Sequence, residues 1–289
     1  MHNLKGPLFL LFSCLLFSVT GTLQQLALQG HTPVVITERR MLLGSLTILL
    51  CCLWTHKFPS NWSAVPWKLM LIAMASVLLY QLLFFYSVAE VGVAVGSVVA
   101  IATTLLWAAV VAFILFKKKP SKFWVYATAL AIVGVFLINA DGGFQSHRVD
   151  LRLLLPIAAG FCYGVEIIAV GEVAKKINPE TIMLLEMGFV AVLLLPVTFF
   201  FPSDWIFTTR GILVSLCLGV FTAGIAYPCF TYGIKYTSPA IASTFTLEEP
   251  LMAAILGIVF LHEKVNLNIF MGLIALITAV IILLFDPRK

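Results

Sequence analysis

Charge is what this chain has least of: Asp, Glu, Lys and Arg make up 11% of its 289 residues, while 61% are hydrophobic. A soluble domain carries about 25% charged residues, so a water-soluble globule is excluded and the bilayer becomes the solvent. Catalytic signatures are missing too. There is no G-x-S-x-G, no H-E-x-x-H and no phosphate-cradling glycine loop, and His2, His31, His56, His147 and His262 fall at segment ends or in loops. No catalytic residue is expected. Cys14, Cys51, Cys52, Cys162, Cys217 and Cys229 lie inside apolar segments without C-x-x-C spacing, which excludes a zinc site or a disulfide framework and leaves small buried hydrophobes. Neither metal nor cofactor is expected. The in-out alternation of a lipid-facing strand is also absent, so the chain is expected to be an all-α integral membrane protein.

Ten apolar runs of about 20 residues are present, the length that crosses a hydrocarbon core of about 30 Å. They cover roughly 7–27, 33–54, 67–89, 93–116, 121–139, 152–173, 179–200, 210–235, 239–261 and 266–285. The first could be a cleaved signal peptide, but it lacks a small-x-small cleavage site and its removal would break the ten-span pattern. Basic residues then sort by side. With the N-terminus in the cytoplasm, the inner segments hold Lys5, Lys57, Lys68, Lys117, Lys118, Lys119, Lys122, Lys175, Lys176, Lys235, Arg288 and Lys289. The outer loops hold only Arg148, Arg152, Arg210 and Lys264. This bias predicts a cell inner membrane protein with both termini cytoplasmic. The net charge of +5 therefore reflects topology, and "FKKKPSK" reads as an anchor. Expected partners are a small-molecule substrate and membrane lipid, with no nucleic acid, in a monomer or homodimer.

Sliding the chain against itself by 146 residues aligns "TPVVITERRM" with "NPETIMLLEM" and "FFYSVAEVGVAVGS" with "FTYGIKYTSPAIAS". Pro33, Ile36 and Met41 then meet Pro179, Ile182 and Met187, and Phe84, Tyr86, Ala94 and Ser97 meet Phe230, Tyr232, Ala240 and Ser243. Each half holds five spans. Because five is odd, the second half enters the membrane from the opposite side, giving two inverted five-helix repeats with a substrate site between them. The expected division is 1–142 and 150–289, joined by a loop over 143–149.

The stretch "EEPLMAAILGIVFLHEKVNLNIFMGLIALITAVIILL" resembles the closing two helices of the EamA domain in the drug/metabolite transporter superfamily. It carries that domain's acid-proline pair, its Phe-Leu-x-Glu end at Phe260 to Glu263, and Gly272 some nine residues on. "HTPVVITERRMLLGSL" is similar to the family's second helix, with Pro33 and then Arg40. The resemblance covers both repeats. It implies a ten-helix transporter with a central cavity lined by both halves, in a family whose members export amino acids or move other metabolites. The first repeat departs from the pattern, with Thr104 where the second has Pro250 and Lys117 where it has Glu263.

Away from the ends of the predicted spans stand five acids, Glu38, Glu166, Glu186, Glu248 and Glu249, and two bases, Arg39 and Arg40. A charge at the bilayer centre costs about 3 kcal/mol, so these residues are functional candidates. Protonation, a bound ammonium group or a water-filled cavity would settle the surplus of acid, and a transport path provides the last two. At about 1.5 Å per residue, Glu248 and Glu249 come near the midplane, close in depth to Arg40. Glu166 and Glu186 share the inner third on consecutive helices and are expected to take up a proton in the cycle.

The expected substrate-binding set is Glu248, Glu249, Arg40, Tyr86, Tyr232 and Tyr163, the tyrosines offering faces for an ammonium group. Blander readings stand beside it. Glu38, Arg39 and Arg40 could snorkel to the outer interface, Glu249 could be protonated on a carbonyl freed by Pro250, and the tyrosines could be core or interface aromatics. The expected function is secondary transport of small polar or zwitterionic metabolites, amino acids or related amines first, by alternating access with proton coupling. Carriage of other metabolites or cationic drugs, an embedded enzyme and a non-transporting scaffold are the alternatives.

Overall fold

A hydrocarbon core leaves a backbone no partner but itself, which selects helices. The computed structural model describes residues 5–27, 32–55, 62–117, 122–139, 151–174, 176–235, 248–262 and 265–284, and its long elements there are helical throughout. The first span is broken at Val19 into α1 (Lys5–Ser18) and α2 (Thr20–Gln25). α3 (Pro33–Thr55), α4 (Trp67–Val91), α5 (Val93–Phe116) and α6 (Lys122–Asn139) complete the first half. α7 (Leu154–Val173) and α8 (Pro179–Thr198) open the second. Its third span runs from α9 (Thr209–Leu216) through a π-helical stretch (Cys217–Ile225) into α10 (Ala226–Lys235). α11 (Glu248–Leu261) and α12 (Leu267–Leu284) follow.

Six of these ten units are long and apolar enough to cross a membrane by length and composition. α3 misses that standard because Glu38, Arg39 and Arg40 interrupt its apolar run. The ninth span, expected from 239, is described only from Glu248, and 236–247 lie outside the described residues.

Local chemistry sets the ends. Asn178 accepts from the Thr181 N–H at 3.1 Å with Pro179 in the first turn, which starts α8. Thr208 accepts from the Gly211 N–H at 3.0 Å and starts α9. Between α4 and α5 the chain turns at Gly92, whose φ of 86° is open to glycine and disfavoured for other residues. Buried hydroxyls bond their own helix: Thr37 to the Pro33 carbonyl, Thr103 to Val99 and Thr222 to Leu218, each at 2.7 Å.

Small residues set the closest approaches. A Cβ on Gly160 would stand 2.7 Å from the Ala100 carbonyl and crowd Thr103, and one on Gly164 would stand 2.9 Å from the Ala108 amide, so α5 and α7 run side by side in the same direction. Gly44 faces Ala223, and Gly224 faces Thr47, which makes α3 and the π-helical span parallel as well. Gly160→Ala is therefore expected to lower the melting temperature in detergent by about 2–6 °C through overpacking. Gly188 has open space, and Gly188→Ala should leave it unchanged or raised; equal effects in a melting assay would refute this packing.

The helix pairs obey a two-fold rule. α3 packs on α8 and α6 on α12, each joining corresponding spans of the two halves. The α4–α7 pair is mirrored by α1–α10, and the α5–α7 pair by α1–α11. The fourth and sixth spans run parallel, as do the second and eighth, which is what up-down threading of two inverted five-span halves requires.

Candidate functional site

Two cavities meet at Phe17, Tyr163 and Tyr227. The larger, about 390 Å³, lies among α1, α7, α8 and α10 and reaches Ala174 and Pro179, which flank the α7–α8 connection. The smaller, about 30 Å³, lies beside Arg40, Thr20, Tyr80 and Phe84. Helical spacing aims these side chains. Tyr163, Glu166 and Val170 recur at three and four residues on α7, and Ile182 and Glu186 at four on α8, so each set shares a face.

Glu166 and Glu186 both line the larger cavity, and each is only 6% exposed. One buried oxygen of each, Oε2 of Glu166 and Oε1 of Glu186, has no hydrogen-bond partner among the described residues. Their charges act on one another, and Glu166 also feels that of Arg40. Two carboxylates with unused lone pairs at a cavity wall can accept N–H groups from an ammonium or hold a proton between them.

Arg40, 4% exposed, has neutral partners. Its Nη1 donates to Gln81 Oε1 at 2.6 Å, its Nε to Thr222 Oγ1 at 3.2 Å and its Nη2 to the Thr222 carbonyl at 3.3 Å. The Phe85 ring lies 5.8 Å from the guanidinium carbon. The π-helical register makes this acceptor available: the Ala226 N–H, which an α-helix would give to Thr222, bonds to Phe221 and Ala223 instead. No carboxylate pairs with Arg40 within salt-bridge distance among the described residues. Glu38, fully buried, pairs with Arg39 alone among the described residues, at 3.1 Å, and lines neither cavity.

Aromatic rings wall the junction. Tyr80 stacks on Tyr163 with centroids 4.5 Å apart and planes 12° from parallel, and Phe17 meets Tyr227 edge-on at 4.9 Å.

The structure thus brings Glu166, Glu186, Arg40 and Tyr163 around one junction. Tyr86 stands elsewhere, 37% exposed on the outer face of α4. The first turn of α11 contains Glu248, Glu249 and Pro250, and α10 contains Tyr232, but the side chains of these residues lie outside the described set. Gln81, Thr222, Thr20 and Phe17 escaped the sequence reading because neutral side chains carry no insertion penalty to flag them. The 146-residue offset is a signal that could have found two of them: it pairs Thr20 with Glu166 and Phe17 with Tyr163.

Residues 4–140 and 151–285 each match the EamA-like transporter family. The chain is 30% identical to the uncharacterized transporter YwfM of Bacillus subtilis strain 168 over 98% of its length and 94% of that protein's. An uncharacterized transporter of Archaeoglobus fulgidus is 24% identical over 88% of this chain and 87% of its own. A solved crystal structure superposes with a TM-score of 0.66 over 96% of this chain and 95% of its own at 19% identity, a likeness of fold. Ten helices in two oppositely threaded fives enclose a cavity, and two matches together span nearly the whole sequence: the chain is a membrane transporter and belongs to the EamA-like transporter family.

Proposed function

We propose that this transporter carries small zwitterionic metabolites, amino acids or related amines, by alternating access in the cell inner membrane, with both termini cytoplasmic. The observation that carries the reading is the pair of buried carboxylates, Glu166 and Glu186, on a cavity of about 390 Å³ whose aromatic wall it shares with Arg40. That volume falls in the range of small-molecule sites, about 300–1,000 Å³. An ammonium group would meet the carboxylates and the tyrosine faces, and a carboxylate would meet the guanidinium, with a charge-assisted hydrogen bond contributing about 1.5–3 kcal/mol. Neutral solutes gain neither. Solutes rich in phosphate would need several cations, and only Arg40 stands at the junction among the described residues.

The halves, 1–142 and 150–289, rock about this site through the linker at 143–149. A proton shared by Glu166 and Glu186 when substrate is absent couples transport to pH, and the cycle makes and breaks no covalent bond. Glu248 and Glu249, in the first turn of α11, and Tyr232, in α10, are further candidate binding residues.

A thermal-shift screen of metabolites on the purified protein, followed by counterflow in liposomes, tests the reading. Zwitterions should raise the melting temperature and exchange against their own label. A panel in which no zwitterion exchanges would refute it. Glu166→Gln should weaken counterflow of amine-bearing substrates and abolish the response of the remaining exchange to an imposed pH gradient, and full retention of that response would remove Glu166 from proton coupling.

A further inference from the structure

A third cavity takes no part in the junction. It encloses about 360 Å³ between α5, α6 and α7, bounded by Thr103 to Val110 on α5, Thr128 to Ile132 on α6 and Ile157 on α7. Helix pairing leaves it there: α5 packs chiefly on α7 and α6 on α12, so a groove stays between the consecutive helices α5 and α6. Its wall suits hydrocarbon. Trp107 stands in it, edge-on to Phe161 at 5.3 Å, and the Thr103 hydroxyl donates to the Val99 carbonyl of its own helix at 2.7 Å. Ile132, on the rim, is 64% exposed, so the groove opens toward the bilayer. Such a wall gives water too few polar partners, whereas an acyl chain lying in it gains dispersion contacts on every side.

The charges at one end of the groove select the lipid. α5 ends at its cap, Lys117, and α6 begins at Lys122; both are exposed, and neither pairs with a carboxylate within salt-bridge distance among the described residues. At the opposite end Glu90 precedes α5 and Arg152 precedes α7, one charge of each sign. Only the lysine end favours an anion. Val110 is seven residues from Lys117 and Thr128 six from Lys122, so the groove begins about 10 Å from both charges, and Thr103 lies about 10 Å further on. One leaflet is about 15 Å of hydrocarbon, half the core thickness. A phospholipid with its phosphate at the two lysines therefore carries the far part of a chain into the groove.

We infer that the groove between α5, α6 and α7 is a binding site for an anionic phospholipid, its acyl chain lying along Trp107 and its headgroup on Lys117 and Lys122. A zwitterionic headgroup cancels the pull of the lysines with its own cation. A net negative headgroup does not, and each lysine near the membrane surface favours it about 5-fold. The groove adds what a charged surface lacks, a fixed place for the chain. The inference holds for any transported substrate, because none of these residues lines the junction of Glu166, Glu186 and Arg40.

Quenching of Trp107 fluorescence by chain-brominated lipids tests this, in phosphatidylcholine vesicles and in protein whose other five tryptophans are replaced by Phe. Brominated phosphatidylglycerol should reach half-maximal quenching at a mole fraction at least about 5-fold lower than brominated phosphatidylcholine. Lys117→Gln combined with Lys122→Gln should remove that difference, while Lys68→Gln, which takes the same charge from an exposed site on α4, should leave it unchanged. The intact chain gives a second readout. In detergent, phosphatidylglycerol should raise its melting temperature more than phosphatidylcholine does, and the double lysine variant should lose the gain. Equal quenching by the two lipids, or a preference that survives the double variant, overturns the inference. Quenching by neither lipid also overturns it, and a dimer seen by light scattering would then place a second copy of the chain in the groove.

Discussion

Glu186→Gln is expected to reduce counterflow of an amine-bearing substrate by about 10- to 100-fold at unchanged protein stability. Glutamine keeps the shape of the side chain and one acceptor oxygen but not the charge, so it loses the charge-assisted part of an N–H contact, about 1.5–3 kcal/mol. The fold should not suffer, because Glu186 is buried beside another acid and carries an oxygen without a hydrogen-bond partner among the described residues. Removing one of two neighbouring carboxylates relieves that frustration, and the melting temperature should hold or rise. Counterflow and thermal melting on the same preparation check both halves. Normal exchange with Glu186→Gln would show that the substrate bypasses this cavity.

Arg40→Met should separate the two ends of the substrate. Methionine leaves Gln81 Oε1 and the Thr222 carbonyl without their donor, costing about 1–3 kcal/mol each. It also removes a buried charge whose insertion costs about 3 kcal/mol. These opposing effects are similar in size, so melting should shift little. Transport should shift a great deal: exchange of a carboxylate-bearing substrate should fall about 100-fold, the value of a charged hydrogen bond near the top of its range. A matched amine without the carboxylate should change less than about 3-fold, and Arg40→Lys should recover part of the loss by restoring a point charge without the fork. Equal losses for both compounds in a paired uptake assay would assign Arg40 to structure alone.

The spans were legible because lipid forces apolar runs of fixed length, and the inverted halves because five is odd. The pairing of Glu166 with Glu186 was legible as well, since consecutive helices joined by a short connection bring equal depths together. Arg40 is a different case. Sequence set Arg40 close in depth to Glu248 and Glu249, whereas its hydrogen bonds among the described residues go to Gln81 and Thr222, and the Thr222 carbonyl is available only in the π-helical register. That register accompanies the close packing of Gly219 and Gly224 on Leu43 and Thr47, a tertiary fact with no local signature. Tyr86 was chosen as the counterpart of Tyr232, yet Tyr80, Phe84 and Val88 form the buried face of α4 at four-residue intervals. Two residues past Phe84, a side chain points about 200° away. The break at Val19 was hidden for the opposite reason: the apolar run continues through it.

The most direct measurement is substrate protection inside the cavity. With native cysteines replaced, Ile167→Cys lies on the wall shared with Glu166 and Glu186, and its rate of modification by a thiol reagent is read with and without the zwitterion that exchanges in counterflow. Occupancy of the cavity should slow modification at least about 10-fold at saturating substrate, with protection lost in Glu186→Gln. An unchanged rate in protein that still exchanges the same compound would contradict the account.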